Sequence, residues 1–490
     1  MTYTNATMTL QTANIIGSGP NGLAAAITLA QQGMAVTVYE RNSQPGGACS
    51  TAEVTLPGFH HDRGSSVYPL GVASPFFRSL PLDKFGLRWI EPSSAVAHPL
   101  DDGTAITLEH SIEDTIAQFD AHDARSWKRL FAPSVNSWPE LVSDFTRPLL
   151  RIPSHPFAMG RFGLPALLPA EQLARFYFRS EPARALFAGI AAHSVLPLTR
   201  IASSATGLVL ATAGQTTGWP IAAGGAQSIT NALASYFKSL GGIILLEHEV
   251  ATLSEIPSPD VTLFDTSVSA LARIAKTDLS SAFLTQLSRF KPGPGIFKID
   301  YALSSPIPWR NPACSRAATV HLGGSLSEIA QSEHDAFYGN HSDHPFVLLV
   351  QPSLFDSTRA PMGQHTAWAY CHVPTGSTLN RTKAVEAQIA RFAPGFQDAV
   401  IARRPSNADD LAAWNQNLQG GDISGGAMTL TQLLFRPTRK GYRTSNPSLY
   451  LCSSSTPPGG GVHGMCGHLA ALEACRYLLK PQPWNSYAES

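Results

Sequence analysis

A glycine-rich turn between two short apolar stretches constrains this chain more than any other feature. Residues 13–42 read ANIIGSGPNGLAAAITLAQQGMAVTVYERN. Gly17, Gly19 and Gly22 stand in G-x-G-x-x-G spacing, after an apolar strand pattern and before a helical pattern over Leu23–Gln32. In such loops the first glycine permits the tight turn, the second admits a pyrophosphate, and the third lets the helix pack on the strand. The pattern predicts a Rossmann-type α/β unit with phosphate at the helix N-terminus.

An acidic residue ends the second predicted strand of this unit. Glu40 lies 23 positions after Gly17, near the spacing of about 20 at which an acid accepts a hydrogen bond from a ribose hydroxyl. An acid there disfavours a 2′-phosphate, so NADP is the least favoured ligand, while FAD and NAD stay open. We expect the neighbouring Pro20, Asn21 and Arg41 to take part in binding the dinucleotide.

Composition favours large buried sheets and excludes several classes of function. Of the 490 residues, 43% are hydrophobic and 14% are charged, against roughly 25% charged in typical soluble domains. The 35 basic and 35 acidic residues balance, and no basic tract favours nucleic acid. The six cysteines form no C-x-x-C and no metal-ligand spacing occurs, so neither metal nor a disulfide framework is predicted.

The same sequence patterns bear on where the protein acts. The N-terminus lacks the basic and apolar blocks of a signal peptide, and no run of 18 apolar residues occurs. We therefore predict a cytoplasmic protein. The low charge content leaves peripheral membrane contact open, and a homo-oligomer is likewise left open.

Nucleotide-domain patterns return twice further along the chain. Residues 218–250 read as a loop, a helix, a Gly-Gly turn and a strand, and residues 448–480 as a strand, a glycine-rich turn and a last helix. The segments between them are helical and then β-rich. We predict an α/β fold with a discontinuous Rossmann-type nucleotide domain (10–75, 214–295 and 436–485) and an inserted, mixed α+β substrate domain (76–213 and 296–435).

Five stretches, in this order, resemble the FAD-dependent phytoene-desaturase-like flavoproteins within the wider amine-oxidase-like group. They are GSGPNG with Glu40, PGGACST (45–51), GFHHDRGSS (58–66), WPIAAGGAQSITNAL (219–233) and LYLCSSSTPPGGGVHGMCG (449–467). The stretches VQPSLFDSTRAP (350–361), WAYCHVP (368–374) and GGDISGGA (420–427) resemble one subgroup, named for a pyridine nucleotide-disulphide oxidoreductase domain. One departure is Ala48, where many relatives carry arginine.

The resemblance implies FAD and assigns further binding residues. It implies that the start of the last helix lies beside the isoalloxazine and that the backbone of Val250 meets the adenine. The residues assigned in this way are Gly46, Gly47, Val250, Ser454, Gly460, Gly461 and Val462. A third set of glycines, Gly459, Gly461 and Gly464, also fits G-x-G-x-x-G. No second strand or closing acid follows it, so we do not predict a separate NAD site.

Two residues are candidates for the chemistry. Lys298, in GIFKIDYALSSPIPW, resembles a lysine that holds a water near flavin N5 in amine oxidases and assists reoxidation by oxygen; the alternative is a surface or salt-bridged lysine. His463, in PGGGVHGMCG, either orients substrate, acts as an acid or base, or caps the helix.

These patterns predict an FAD-dependent oxidoreductase. The reaction expected is a two-electron oxidation or desaturation of an apolar or amine-like small molecule, by hydride transfer to flavin N5, with oxygen or a quinone as acceptor. The alternative is a non-catalytic FAD-containing binding or assembly protein associated with a membrane. Residues 160–178 mix leucines, aromatics and arginines, and they predict either a buried helix face or an apolar funnel at a membrane surface.

Overall fold

The computed structural model describes residues 11 to 478. The predictions about the N-terminal residues 1–10, and the parts of the predicted nucleotide domain at residue 10 and at 479–485, lie outside that range. Sixteen strands form within it: β1 (Thr12–Ile16), β2 (Ala35–Tyr39), β3 (Thr51–Glu53), β4 (His60–Asp62), β5 (Trp89–Ile90), β6 (Ser94–Pro99), β7 (Ala105–Leu108), β8 (Ile221–Ala222), β9 (Ile243–Leu245), β10 (Val261–Phe264), β11 (Gly295–Leu303), β12 (Ala317–Leu322), β13 (Val347–Val350), β14 (His365–Val373), β15 (Val400–Ser406) and β16 (Leu449–Leu451).

Five strands form a parallel sheet in the order β16, β10, β1, β2, β9. The central strand β1 pairs with β2 on one side and with β10 on the other, so that Ile16 lies opposite both Tyr39 and Phe264. The carboxyl ends of these three strands therefore meet at one edge, which is where open α/β sheets bind ligands. The predicted Rossmann-type sheet is confirmed, and its strands come from three separated parts of the chain.

Seven strands form a second sheet in the order β15, β11, β14, β13, β12, β6, β7. Its pairs are antiparallel except for β12 with β6. Strands β6 and β7 precede the central segments of the parallel sheet in the chain, whereas the other five follow them. This mixed sheet is the α+β insertion that the sequence predicts. The individual domain boundaries remain predictions.

Nineteen α-helices accompany the strands between residues 11 and 478. They are α1 (Pro20–Gln31), α2 (Pro69–Ala73), α3 (Pro75–Arg78), α4 (Ile112–Ile116), α5 (Ala121–Asn136), α6 (Trp138–Phe145), α7 (Pro156–Ala166), α8 (Ala170–Tyr177), α9 (Glu181–Ala191), α10 (Ser203–Gly214), α11 (Ala226–Ser239), α12 (Val268–Ile274), α13 (Ser281–Leu287), α14 (Leu326–Phe337), α15 (Thr382–Phe392), α16 (Phe396–Ala399), α17 (Ala408–Trp414), α18 (Leu430–Leu434) and α19 (Met465–Leu478).

Helix α1 packs against α19 beside the parallel sheet. It begins at Pro20, earlier than the predicted Leu23, because proline needs no N–H partner in the first helical turn. The two helices cross so closely that a Cβ on Gly467 would lie 1.8 Å from the carbonyl oxygen of Asn21. The crossing fixes the glycine loop and the last helix relative to each other.

The helical segment after β7 covers the second sheet. Helices α5 and α7 to α10 bury a shared core against β6, β12 and β13. Helix α8 runs over Ala170–Tyr177, close to the pattern of residues 160–178 from which a helix was expected. Within residues 11–478 no helix combines the length and the apolar character needed to cross a bilayer.

Candidate active site

A cavity of about 810 Å³ extends from the edge of the parallel sheet to the face of the seven-stranded sheet. Most of the predicted binding and catalytic residues line it. Those that do are Gly17, Gly19, Pro20, Asn21, Glu40, Arg41, Gly47, Val250, Lys298, Ser454, Gly460, Gly461, Val462 and His463. Two predicted binding residues, Gly22 and Gly46, do not line the cavity.

Gly22 and Gly46 support the glycine loop from behind. A Cβ on Gly22 would lie 2.1 Å from the carbonyl oxygen of Gly17, so only glycine allows α1 to start this close to the turn. Gly46 donates its N–H to the carbonyl of Ser18 at 3.1 Å. It adopts φ +137°, and a Cβ there would lie 2.9 Å from Oγ1 of Thr230. Their contacts are those of loop-shaping residues.

Glu40 follows β2 directly and is buried, with 5% of the residue exposed. Its Oε2 accepts hydrogen bonds from the N–H and the hydroxyl of Ser18, at 2.9 and 2.6 Å. Its Oε1 accepts from the N–H and the side-chain amide of Asn42, at 2.9 and 2.7 Å. The acid therefore also ties the glycine loop to the end of β2, which the sequence pattern did not predict.

Asp265 is the residue of this region that sequence reasoning missed. It follows β10 directly, lines the cavity, and accepts a hydrogen bond from the N–H of Gly22 at 2.8 Å. Burial raises its pKa to about 7, and the charge of Glu40 contributes to the rise. The signal in the sequence is an acid that directly follows an apolar strand pattern, in the stretch LFDTS at 263–267.

The residues present fit a dinucleotide. The side-chain oxygen of Asn21 is buried on the cavity side of α1 and has no hydrogen-bond partner among the described residues. At the other end, Gly460 and Gly461 line the cavity with backbone atoms alone, and Gly461 adopts φ +130°. Binding along this path would place a ligand's phosphates at the N-terminus of α1, where backbone N–H groups favour anions.

His463 makes the contacts of a helix cap. Its Nδ1 accepts the N–H of Met465, the first residue of α19, at 3.1 Å. Its carbonyl accepts from the hydroxyl of Ser74 at 2.6 Å. Burial lowers the pKa of the imidazole to about 4, so it is neutral at pH 7. These contacts correspond to the capping alternative, and a catalytic role stays a prediction.

Lys298 lines the cavity and is also salt-bridged. Its ammonium pairs with Asp300 two residues along β11, and donates to the carbonyl of Asp62 at 3.1 Å. It lies 5.6 Å from the ring centre of Trp368. The contacts of Lys298 therefore correspond to the salt-bridged alternative. The side chain nonetheless lines the cavity along the predicted ligand path. Its role towards a flavin stays a prediction.

Behind Lys298 lies a buried ion pair between Arg359 and Asp62, at 2.8 Å. Burial works to raise the pKa of Asp62, but Arg359 and several hydrogen bonds hold it below its ordinary value. Asp62 also accepts from the N–H of Ala226, the first residue of α11, at 2.8 Å. Asp62 therefore connects the end of β4 to the start of α11.

The far end of the cavity is a largely apolar chamber. Its aromatic wall is formed by Trp368 and Tyr370, whose rings stack 5.7 Å apart at 10° between planes. Trp368 donates its indole N–H to Ser66 at 2.6 Å. His193 also lines the chamber, and its Nε2 lies 3.0 Å from Nε2 of His321. Burial lowers the pKa of His193 to about 3, so this polar group is uncharged.

Comparisons with known proteins agree with this architecture. Residues 15–80 match the family model of the NAD(P)-binding Rossmann-like domain. The mouse protein called pyridine nucleotide-disulfide oxidoreductase domain-containing protein 2 is 28% identical over 95% of this chain and 93% of its own length. The lycopene-forming phytoene desaturase of Pseudescherichia vulneris is 24% identical over 95% of this chain and 98% of its own. The chain is an oxidoreductase that is similar to these relatives along nearly its whole length.

A solved structure of putrescine oxidase bound to putrescine shows the same fold as this oxidoreductase. The TM-score is 0.63 at 16% identity, and the match covers 96% of this chain and 99% of that one. This likeness confirms the fold class, and the curated relatives confirm the resemblance and the oxidoreductase assignment. The relatives imply a flavin or nucleotide cofactor and a small-molecule substrate for the oxidoreductase.

Proposed function

We propose that this chain binds FAD and catalyses a two-electron oxidation of an apolar small molecule, either by desaturation or at a C–H bond next to a heteroatom. The observation that supports this is the continuity of the cavity. One space connects Glu40 and the glycine loop with Gly461 and then with the apolar chamber beside Trp368. When bound, FAD accepts the hydride that such an oxidation removes.

The chain's own residues bind and orient the reactants in this proposal. The glycine loop and Glu40 hold the adenosine and phosphate part. The backbone at Gly460 and Gly461 approaches the flavin ring, and the N-terminus of α19 favours negative charge there. The stacked rings of Trp368 and Tyr370 limit how a substrate carbon can approach. Apolar chamber walls exclude water from the reacting atoms.

The polarity of the chamber favours an apolar substrate over an amine. None of the cavity-lining side chains from residues 145–219 or 296–370 carries a carboxylate. A substrate ammonium would therefore lose its water without gaining a charged partner, which is strongly unfavourable. Oxygen or a quinone is the proposed acceptor.

The proposal is tested on the purified protein. It should be yellow and release FAD on denaturation, whereas a colourless protein that cannot be reconstituted with FAD defeats it. Anaerobic mixing with polyenes, lipids, amines and amino acids should bleach the flavin with the apolar class. Fast bleaching by NADH or NADPH would instead indicate a nicotinamide-dependent reductase. If no compound bleaches it while a protein or membrane binds stably, the non-catalytic alternative is supported.

Peripheral contact with an anionic membrane is the proposed route of substrate entry. The segment around α7 exposes apolar side chains, with Ile152 at 89%, Phe157 at 90% and Leu164 at 76%. The same segment contributes Met159 and Leu167 to the cavity wall. Residues 145–170 contain three arginines and no acidic residue, although one of the arginines, Arg151, pairs with the buried Asp144. An apolar surface with basic neighbours fits the interface of an anionic bilayer.

Vesicle sedimentation tests the membrane contact. We expect the protein to bind vesicles containing phosphatidylserine, and the pair Ile152→Ser and Phe157→Ser to weaken binding at least tenfold. Met362, which is fully exposed outside this segment, supplies the control Met362→Ser, which should bind as the parent does. Equal binding by all three proteins, or none by any, would contradict the proposed contact.

A further inference from the structure

The side chain of Asp265 occupies the space beneath the glycine loop. A Cβ placed on Gly19 would lie 2.5 Å from its Oδ2, and one on Gly22 would lie 3.0 Å from the same atom. That oxygen accepts the N–H of Gly22 at 2.8 Å. The carboxyl group is therefore in contact with two of the three glycines that shape the predicted phosphate site.

At this position the Asp265 carboxylate and a bound pyrophosphate would compete for the same backbone N–H donors. The backbone N–H groups at the start of α1 form an anion site, and a pyrophosphate bound along Gly19 and Pro20 would lie beside the Asp265 carboxyl. An ionised carboxylate there would repel the phosphates, since few intervening waters screen charges in a buried site. A protonated carboxyl would instead donate a hydrogen bond to a phosphate oxygen.

The charged and titratable groups that face Asp265 do not neutralise it. They are the Glu40 carboxylate at the end of β2 and the thiols of Cys452 after β16 and Cys466 in α19. Arg41 and Arg273 line the same cavity, but within residues 11–478 no basic side chain forms an ion pair with Asp265. Burial raises the pKa of Asp265 to about 7 against the lowering effect of the Gly22 hydrogen bond.

We infer that Asp265 couples dinucleotide binding to proton uptake: the pyrophosphate binds the form of the chain in which this carboxyl is protonated. The inference rests on the proposed binding of FAD. Asp265 is a positioning residue for the cofactor and touches no reacting carbon. One proton moves from solvent to the Asp265 carboxylate on binding, and it is released when the dinucleotide leaves.

The direction of the pH dependence follows from this coupling. Below pH 7 the free chain already carries the proton, so affinity is independent of pH. Above pH 7 the proton must be taken up on binding, so Kd rises by up to about tenfold per pH unit. From pH 7, where the carboxyl is half ionised, to pH 9 we expect Kd for FAD to rise about 50-fold.

Calorimetric titration of the FAD-depleted full chain tests the inference. Titrations with FAD at pH 6, 7, 8 and 9 give the affinity profile. Titrations at pH 8 in two buffers of different ionisation enthalpy give the protons taken up, which should approach one. Asp265→Asn keeps an acceptor for Gly22 and should show a flat profile without proton uptake. Asp260→Asn, at an exposed acid just before β10, should keep the parent profile.

The outcomes separate this inference from the proposed function. FAD binding with a constant Kd from pH 6 to 9, or without proton uptake at pH 8, overturns the role of Asp265 and leaves FAD binding intact. An unchanged pH profile in Asp265→Asn overturns it as well. No binding at any pH overturns both proposals. If Asp265→Asn does not fold, the two-buffer measurement on the parent chain decides.

Discussion

Lys298 and Asp300 form a buried ion pair on one face of β11, two residues apart. Their side chains are 3% and 8% exposed. Burial raises the pKa of Asp300, and the charge of Lys298 opposes that rise. Because alternate residues of a strand share a face, the spacing of two residues places both side chains on the same side of β11. The ammonium that faces the cavity is thus largely neutralised by its own strand.

Replacing Lys298 with methionine should destabilise the fold. Lys298→Met leaves Asp300 buried without its cation, which typically costs about 3–5 kcal/mol of unfolding free energy. The double variant Lys298→Met with Asp300→Asn removes both charges and should recover most of that loss. Urea unfolding of the three proteins measures both effects. Equal stability of the parent and Lys298→Met would show that the pair contributes nothing.

The reaction of reduced flavin with oxygen tests whether the ammonium assists it. In Asp300→Asn the lysine charge is no longer neutralised, so oxidation should be faster than in the parent. In Lys298→Met it should be slower by less than about tenfold, or 1.4 kcal/mol, because the parent pair presents little net charge. Stopped-flow oxidation rates decide this. Equal rates in all three proteins would reject a role for Lys298.

Gly19→Val should abolish dinucleotide binding. A Cβ at this position would lie 2.5 Å from the Asp265 carboxyl, and it would stand where a pyrophosphate approaches. We expect the affinity for FAD to fall to less than a hundredth of the parent value, measured by the quenching of FAD fluorescence on binding. The control is Gly160→Ala in α7, where nothing lies within 4 Å and the helix gains up to about 1 kcal/mol. Retained affinity in Gly19→Val would place the dinucleotide elsewhere.

Glu40→Ala should weaken FAD binding without unfolding the chain. The substitution removes the acceptor expected for ribose and the hydrogen bonds that hold Ser18 and Asn42. A lost charge-assisted hydrogen bond is worth about 1.5–3 kcal/mol, so Kd should rise about 10- to 150-fold. Glu53→Ala, at an exposed acid on β3, is the matched control. An unchanged Kd would remove Glu40 from the binding site.

The buried imidazole of His463 predicts loss of stability in acid. Its folded pKa of about 4 lies below the ordinary value of about 6.5, so the unfolded chain binds the proton first. The contribution of the neutral imidazole to the free energy of unfolding is fully present above pH 6.5. It is lost as the pH falls towards 4, by an amount of order 3 kcal/mol. Urea unfolding between pH 7.5 and 4 should show this slope.

His463→Asn should reduce the acid slope, because asparagine accepts the N–H of Met465 and does not titrate. At pH 7 we expect stability and FAD retention close to the parent if the residue only caps α19. A large loss of substrate-dependent flavin reduction, with stability unchanged, would instead support the catalytic role predicted from the sequence. His98, whose pKa burial also lowers to about 4, remains as a separate source of acid sensitivity.

Local patterns were sufficient to predict the nucleotide-binding unit. Gly17, Gly19, Gly22 and Glu40 lie within 24 residues, and each answers a requirement of one strand–turn–helix–strand unit. Even there the pattern missed that Glu40 also accepts hydrogen bonds from Ser18 and Asn42. Those bonds depend on how the chain turns after β2, which strand and helix periodicity do not specify.

The sequence by itself determined the βαβ unit, the fold class and the resemblance to known oxidoreductases. Only the tertiary structure decided which side chains meet at the site. Asp265 reaches Gly22 from 243 residues away, because parallel pairing of β1 with β10 places the ends of both strands at one edge. His193 likewise contacts His321, which lies 128 residues further along the chain. Such contacts depend on sheet register and helix crossing, which long-range packing sets and which no spacing of residues along one segment records.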